Sequence, residues 1–268
     1  MQLRRYKQRS LQGVPILFAN SFPKSGTHLL TQILQGFTSI GPAVDSGLPA
    51  IVTFEGETGR LRPITKIMQE LERLEPGDIA YGHLHALPAV MSFVCQSSIA
   101  SYFIYRDPRD VVVSHVYYVT EMSPTHAHHR FYTQDLHSFS ERLTVSILGR
   151  PDWADLFPNI CARFEPFLSW CDHPEVLALR YEDFISERKT MVGRVLDHAV
   201  SHGFPLLSER AVAIQVLENH IVPERSPTFR SGKAGGWQEL FSPDHKRLFK
   251  EVAGDLLIRL GYERDLEW

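Results

Sequence analysis

Apolar residues follow two periods along this chain, and their alternation predicts strands linked by helices. Short continuous apolar runs at residues 14–19, 79–82, 100–105 and 176–180 read as buried strands. After the first run, Leu29, Leu30, Ile33, Leu34 and Phe37 recur at helical spacing. Helices are predicted at about 64–74, 108–118, 139–148, 153–170, 190–200, 210–216 and 245–260, the last closed by Gly261. Three segments break the pattern. Residues 41–62 are rich in Gly and Pro and read as one long loop, a kind that often carries function. Residues 123–135 are polar and hold His126, His128 and His129, which predicts a mobile surface loop. Residues 223–236 are rich in Arg, Pro, Ser and Gly. Strands alternating with helices imply an α/β fold, a central parallel sheet with helices on both faces. Ligands in such sheets bind at the carboxyl ends of the strands.

Composition narrows this picture. The 268 residues suit one large domain, with residues 1–13 as a solvated arm. Hydrophobic residues make up 43% and charged residues 22%, as in ordinary soluble proteins. A net charge of −3 gives no global positive field, so nucleic acid is not the expected partner and any anion site must be local. The cysteines, Cys95, Cys161 and Cys171, are too few and scattered for a disulfide framework or a Cys-rich zinc site. A reducing, cytoplasmic setting is expected. Arg4, Arg5, Lys7 and Arg9 before the first apolar run mimic a signal peptide, but Pro15 breaks that run and no small-residue cleavage pattern follows. No apolar run is long enough to span a bilayer.

The chemistry starts at Phe22-Pro23-Lys24-Ser25-Gly26-Thr27-His28, a short turn between the first strand and the first helix. Backbone N–H groups, a helix N-terminus and a lysine together hold a phosphate. Lys24 precedes Gly26, and no glycine stands five residues earlier. That is not the Gly-x-x-x-x-Gly-Lys order of a triphosphate loop. A second cluster, Tyr105-Arg106-Asp107-Pro108-Arg109-Asp110 with Ser114, puts an arginine between a strand end and a helix start, where it grips a second phosphate or joins a surface Arg–Asp network. A third, residues 229–237, carries Arg230, Ser231, Gly232, Lys233 and Trp237. It reads as a flap able to close on an anion, or as a solvated loop anchored by its tryptophan. His126, His128 and His129 lack the spacing of a zinc set on one helical face. Phe54, Tyr117, Phe131, Tyr132 and Trp153 either line an apolar cavity or belong to the core.

These segments together resemble the sulfotransferases that use 3′-phosphoadenosine-5′-phosphosulfate (PAPS). Residues 23–27 look like their Pro-Lys-Ser-Gly-Thr loop, and residues 105–111 with Ser114 look like their 3′-phosphate motif. Residues 229–237 are similar to their late Arg-Lys-Gly-x-x-Gly-Asp-Trp loop, and Tyr181-Glu182-Asp183 to a Tyr-Glu-Asp whose tyrosine touches adenine. The resemblance implies a P-loop nucleotide-kinase-like fold. It also implies PAPS as co-substrate, 3′-phosphoadenosine-5′-phosphate (PAP) as product, no metal, and a small-molecule acceptor with a hydroxyl or, less favoured, an amine. Lys24 would stabilise charge on the departing nucleotide, and Ser25, Gly26, Thr27 and His28 would contact the 5′-phosphate. Arg106, Ser114, Arg230, Ser231 and Gly232 would hold the 3′-phosphate, and Tyr181 would meet the adenine. Residues 81–85 match the segment bearing the family's base, which makes His83 the expected base and His85 its rival, on the same face if the strand continues. The chain departs from the pattern at His28-Leu29, where a Thr-Trp pair usually stands, at Ser231 in place of Lys, and at Gly236 in place of Asp. A small-molecule kinase on the related fold and a non-catalytic nucleotide-binding regulator are the alternative expectations.

Overall fold

A computed structural model describes residues 11–153, 155–226 and 232–268. Every residue of β1 (Ile16–Ser21) is buried, because it runs between two parallel neighbours. Leu17 pairs with Ile79 of β4 (Asp78–His83) on one side and with Ala100 of β5 (Ile99–Tyr105) on the other. β6 (Val176–Arg180) extends the sheet beyond β5, and β2 (Val44–Asp45) and β3 (Ile51–Val52) both pair with β4. All these pairings are parallel, in the order β2-β4-β1-β5-β6. β1 is thus the strand from which the chain crosses first to one side and then to the other. Such a switch point is where open α/β sheets place their ligands.

Strand alternation sends side chains to two faces. Leu17, Ala19, Tyr102, Ile104 and Leu179 share one buried cluster with Leu30, Ile33, Leu34 and Phe37 of α1 (Thr27–Ile40). Val192, Val195 and Leu196 of α9 (Arg188–Ser201) and Ile214 and Leu217 of α10 (Arg210–Asn219) complete that cluster. Phe18 and Phe103 point the other way and stack on Trp170, with ring centroids 6.4 and 6.0 Å away. Each such fully buried side chain contributes roughly 1.5–3 kcal/mol. The expected parallel sheet covered on both faces is therefore what the chain builds.

Contacts group the described residues into two compact units. The first comprises the described parts of Met1–Thr53, Arg62–Tyr105 and Phe167–Phe229, and holds the whole sheet. The second comprises those of Phe54–Leu61, Arg106–Pro166 and Arg230–Trp268. Within it, α4 (Pro108–Tyr117) is tied to α5 (Phe139–Leu148) through His115 and Ser146, whose Nδ1 and Oγ lie 3.1 Å apart, while Ser146 donates to the Val112 carbonyl. The second unit also carries α6 (Ile160–Phe164), α11 (Trp237–Leu240) and α12 (Pro243–Arg259).

Several elements differ from the sequence expectation. The loop at 41–62 contains β2 and β3. A helix, α3 (Pro88–Val94), follows β4, with Pro88 at its first turn, and α2 (Ile64–Leu71) stops three residues early. The single helix expected at 153–170 is broken at Pro158 and Pro166 into α6, a 3₁₀ turn and α7 (Leu168–Asp172), because proline cannot donate within a helix. Tyr181-Glu182-Asp183 opens α8 (Tyr181–Ser186). The His-rich segment at 123–135 is no solvated loop throughout. It includes a π-helical turn, Phe131–Asp135, and buries Tyr132 completely and His128 to 5% exposure, with the His128 ring 4.3 Å from that of Phe157. No described helix is long and apolar enough to cross a membrane.

Candidate active site

The loop after β1 is held by a turn in which Ser25 N–H donates to the Phe22 carbonyl. Two of its residues are left-handed, Lys24 at φ 69° and Gly26 at φ 102°. Gly26 is required twice over. Its φ suits glycine, and a Cβ there would lie 2.6 Å from Cδ2 of Tyr181. Gly26 caps α1 with no side chain, and no acidic residue occupies the first turn. The helix therefore offers its N-terminal N–H groups and positive potential to whatever sits in front of it. Ser25 is fully buried, and its Oγ has no hydrogen-bond partner within the protein. A buried hydroxyl without a partner beside an uncapped helix start fits a phosphate or sulfate oxygen. Tyr181, expected to touch adenine, is 8% exposed and packs its ring against this loop.

His83 closes β4, directly beside the end of β1. Its Nδ1 lies 3.0 Å from the Ser21 carbonyl and 3.1 Å from Ser21 Oγ, and Ser21 Oγ lies 2.7 Å from Thr27 Oγ1. A carbonyl only accepts, so Nδ1 carries the proton and Nε2 is left as the basic nitrogen. Burial, with Lys24 and then His28 as further positive neighbours, holds the His83 pKa below the ordinary imidazole value, although the Ser21 hydrogen bond pulls the other way. His28 is lowered too, by burial and then by Lys24. The strand does not continue to His85. The Asn20 side chain clamps the Leu84 backbone on both sides, accepting at 2.8 Å and donating at 2.9 Å, and His85 turns its ring edge-on to Phe167 at 4.8 Å. Burial pushes the His85 pKa down to about 4. Ser21 and Asn20 were not singled out from the sequence. Two polar residues ending an apolar strand just before the loop were the available signal.

In the second unit, Arg106 directly follows β5. Its Nη2 donates to Asp110 Oδ2 at 3.2 Å and to the Lys233 carbonyl at 2.8 Å. Asp107 caps α4 by accepting from Arg109 N–H. Arg109 turns back onto Asp107, reaches Glu263 at 2.5 Å, and lies over the rings of Trp237 at 3.9 Å and Trp268 at 4.5 Å. The Arg109–Asp107 pair is 3% and 6% exposed, so it is a buried network and not the surface one considered from the sequence. Ser114 is half-buried two turns into α4, and Gly232 is left-handed at φ 63°. Arg230 and Ser231 lie outside the described residues. Among the described residues, no group of three or more His, Cys, Asp or Glu is arranged to hold a metal.

Residues 16–261 match the family model described as the sulfotransferase domain. Among solved structures, mouse sulfotransferase SULT7A1 complexed with PAP superposes with a TM-score of 0.60 at 20% identity, over 94% of this chain and 87% of that one. Retinol dehydratase in complex with androsterone and inactive cofactor PAP gives a TM-score of 0.61 at 16% identity, over 90% and 80%. The same enzyme with retinol and PAP gives 0.55, over 90% and 81%. No curated protein matches the sequence. At these identities the structural likenesses establish a shared fold, while the family model spans nearly the whole chain. This chain belongs to the sulfotransferase family.

Proposed function

We propose that this enzyme takes the sulfuryl group from PAPS and delivers it to the hydroxyl of a small-molecule acceptor. The observation that carries the reading is the hydrogen-bonded line from His83 through Ser21 to Thr27. It ties a candidate base to the first turn of the helix behind the anion loop. His83 Nε2 takes the acceptor proton while the acceptor oxygen bonds to sulfur. The bond between sulfur and the bridging oxygen breaks, and PAP leaves with that electron pair. Lys24 stabilises the negative charge gathering on the bridging oxygen, and Ser25, Gly26, Thr27 and His28 hold the 5′-phosphate. Charge stabilisation and positioning supply most of the rate in such transfers. Arg106, Ser114 and Gly232, with Arg230 and Ser231, serve the 3′-phosphate, and Tyr181 braces the loop on the adenosine side. A nearby kinase reading loses ground because Lys24 precedes Gly26.

Calorimetric titration with PAP and with ATP plus Mg²⁺ tests the donor. PAP is expected to bind far more tightly, and preference for ATP would reject the proposal. With PAPS and an accepted alcohol, His83→Ala is expected to lower turnover by about 10²–10⁴. His85→Ala is expected to stay within several-fold of wild type, and the reverse ranking would move the base to His85.

A further inference from the structure

Asp110 is 2% exposed and sits in the first turn of α4, yet both its carboxylate oxygens face a segment more than a hundred residues away. Oδ1 accepts from Trp237 N–H at 3.0 Å, and Oδ2 accepts from Gly235 N–H at 2.8 Å. Oδ2 also meets Arg106 Nη2 at 3.2 Å. The same Nη2 donates to the Lys233 carbonyl. One carboxylate therefore fixes Arg106 and two positions of the 233–237 segment directly, and a third, Lys233, through Arg106. That segment needs such a support. Gly232 and Gly235 are both left-handed, at φ 63° and 77°, and glycine backbone has the most freedom to lose. Its far end is anchored by Trp237, 7% exposed and stacked on Arg109.

We infer that Asp110 is a positioning residue for recognition of the 3′-phosphate, rather than a group that touches the nucleotide. The inference rests on the reading that Arg106 serves that phosphate. Hydrogen bonds to a buried carboxylate are among the stronger ones, and losing the charge releases both the arginine and the loop backbone at once. Selectivity for a 3′-phosphorylated nucleotide is thereby set by a residue that never meets it.

The test compares Kd for PAP with Kd for adenosine 5′-phosphate, which differs only in lacking the 3′-phosphate. Wild type, Asp110→Asn, Arg106→Ala and the double variant are measured. Asp110→Asn is expected to cut the preference for PAP about tenfold, with the affinity for adenosine 5′-phosphate unchanged. The double variant is expected to lose less preference than the sum of the two single losses, because Asp110 acts in part through Arg106. If Arg106→Ala leaves the preference intact, the assignment of the 3′-phosphate to Arg106 fails. If Arg106→Ala lowers it but Asp110→Asn weakens both nucleotides equally, or neither, Asp110 is structural only and the inference is overturned. Should Asp110→Asn not fold, Gly235→Ala answers the same question. A Cβ there meets nothing within 4 Å, so the variant disturbs only the left-handed backbone that offers its N–H to Asp110. The same selective loss of PAP preference is expected, and an unchanged preference would overturn the inference.

Discussion

Lys24 holds a left-handed backbone at φ 69°, which a side-chain-bearing residue adopts at a cost of about 1–2 kcal/mol. Strain of this kind persists where the side chain is needed at that place. Lys24→Gly is therefore expected to leave the melting temperature equal or higher while lowering turnover by at least about 10²-fold, a separation read by calorimetry and a PAPS assay. A lowered melting temperature would show that the lysine braces the loop. Gly26→Ala is the converse. Its new Cβ meets the Tyr181 ring at 2.6 Å and Ile104 Cδ1 at 3.2 Å, so both stability and PAP binding are expected to fall, the former by about 1–3 kcal/mol. At His83 the direction of the pKa shift adds a kinetic consequence. With His83 as the proposed base, the acid limb of kcat/KM, which reports the free enzyme, should lie below that of free histidine.

At the scale of elements, the site depends on how β3 meets β4. Ile51 pairs with Gly82, and Thr53 N–H donates to the His83 carbonyl. A Cβ on Gly82 would stand 2.3 Å from the Ile51 carbonyl oxygen, so no side chain fits there without moving one backbone. Gly82→Ala is expected to lower the melting temperature and kcat together, because the residue after it is the proposed base, and to change PAP affinity less. Unchanged kcat in a folded variant would show that His83 is positioned from β1 alone. β3 is also the kind of element sequence reading misses. With two residues it has no period, and its pairing with β4 is set by tertiary contact. The four longer strands were legible because each is an apolar run, and the loop after β1 because its residue types and order have a direct electrostatic reason. Asn20 and Asp110 were not legible as organisers. Their partners lie 64 and more than 120 residues away, and neither spacing leaves a local trace. His128 misled for a related reason. Its neighbours in sequence are mostly polar, but its neighbours in space include Phe157 and Trp153.

Across the whole molecule, buried histidines couple stability to pH. Burial pushes His85 and His198 down to about 4 in the first unit, with His202 adding to the effect on His198. In the second unit His128 is pushed down to about 3, chiefly by burial, then by His126, Arg150 and Arg163, while Asp152 opposes. In the unfolded chain each of these histidines titrates near 6.5. Below that value the unfolded state binds protons that the folded state refuses, so stability is complete above pH 6.5 and falls as pH drops toward 4. Each such group contributes a slope of up to about 1.4 kcal/mol per pH unit inside that window. Asp78 and Asp107, whose carboxyls burial raises, act with the opposite sign from the carboxylate range upward and temper the slope at its acid end. The melting temperature of wild type is therefore expected to fall steadily between pH 6.5 and 4. His128→Phe keeps a ring against Phe157 and removes one titrating group, so its melting temperature should fall less steeply over the same interval. A variant whose slope matches wild type would mean that His128 takes up its proton without unfolding, and that its aromatic surroundings admit the charge.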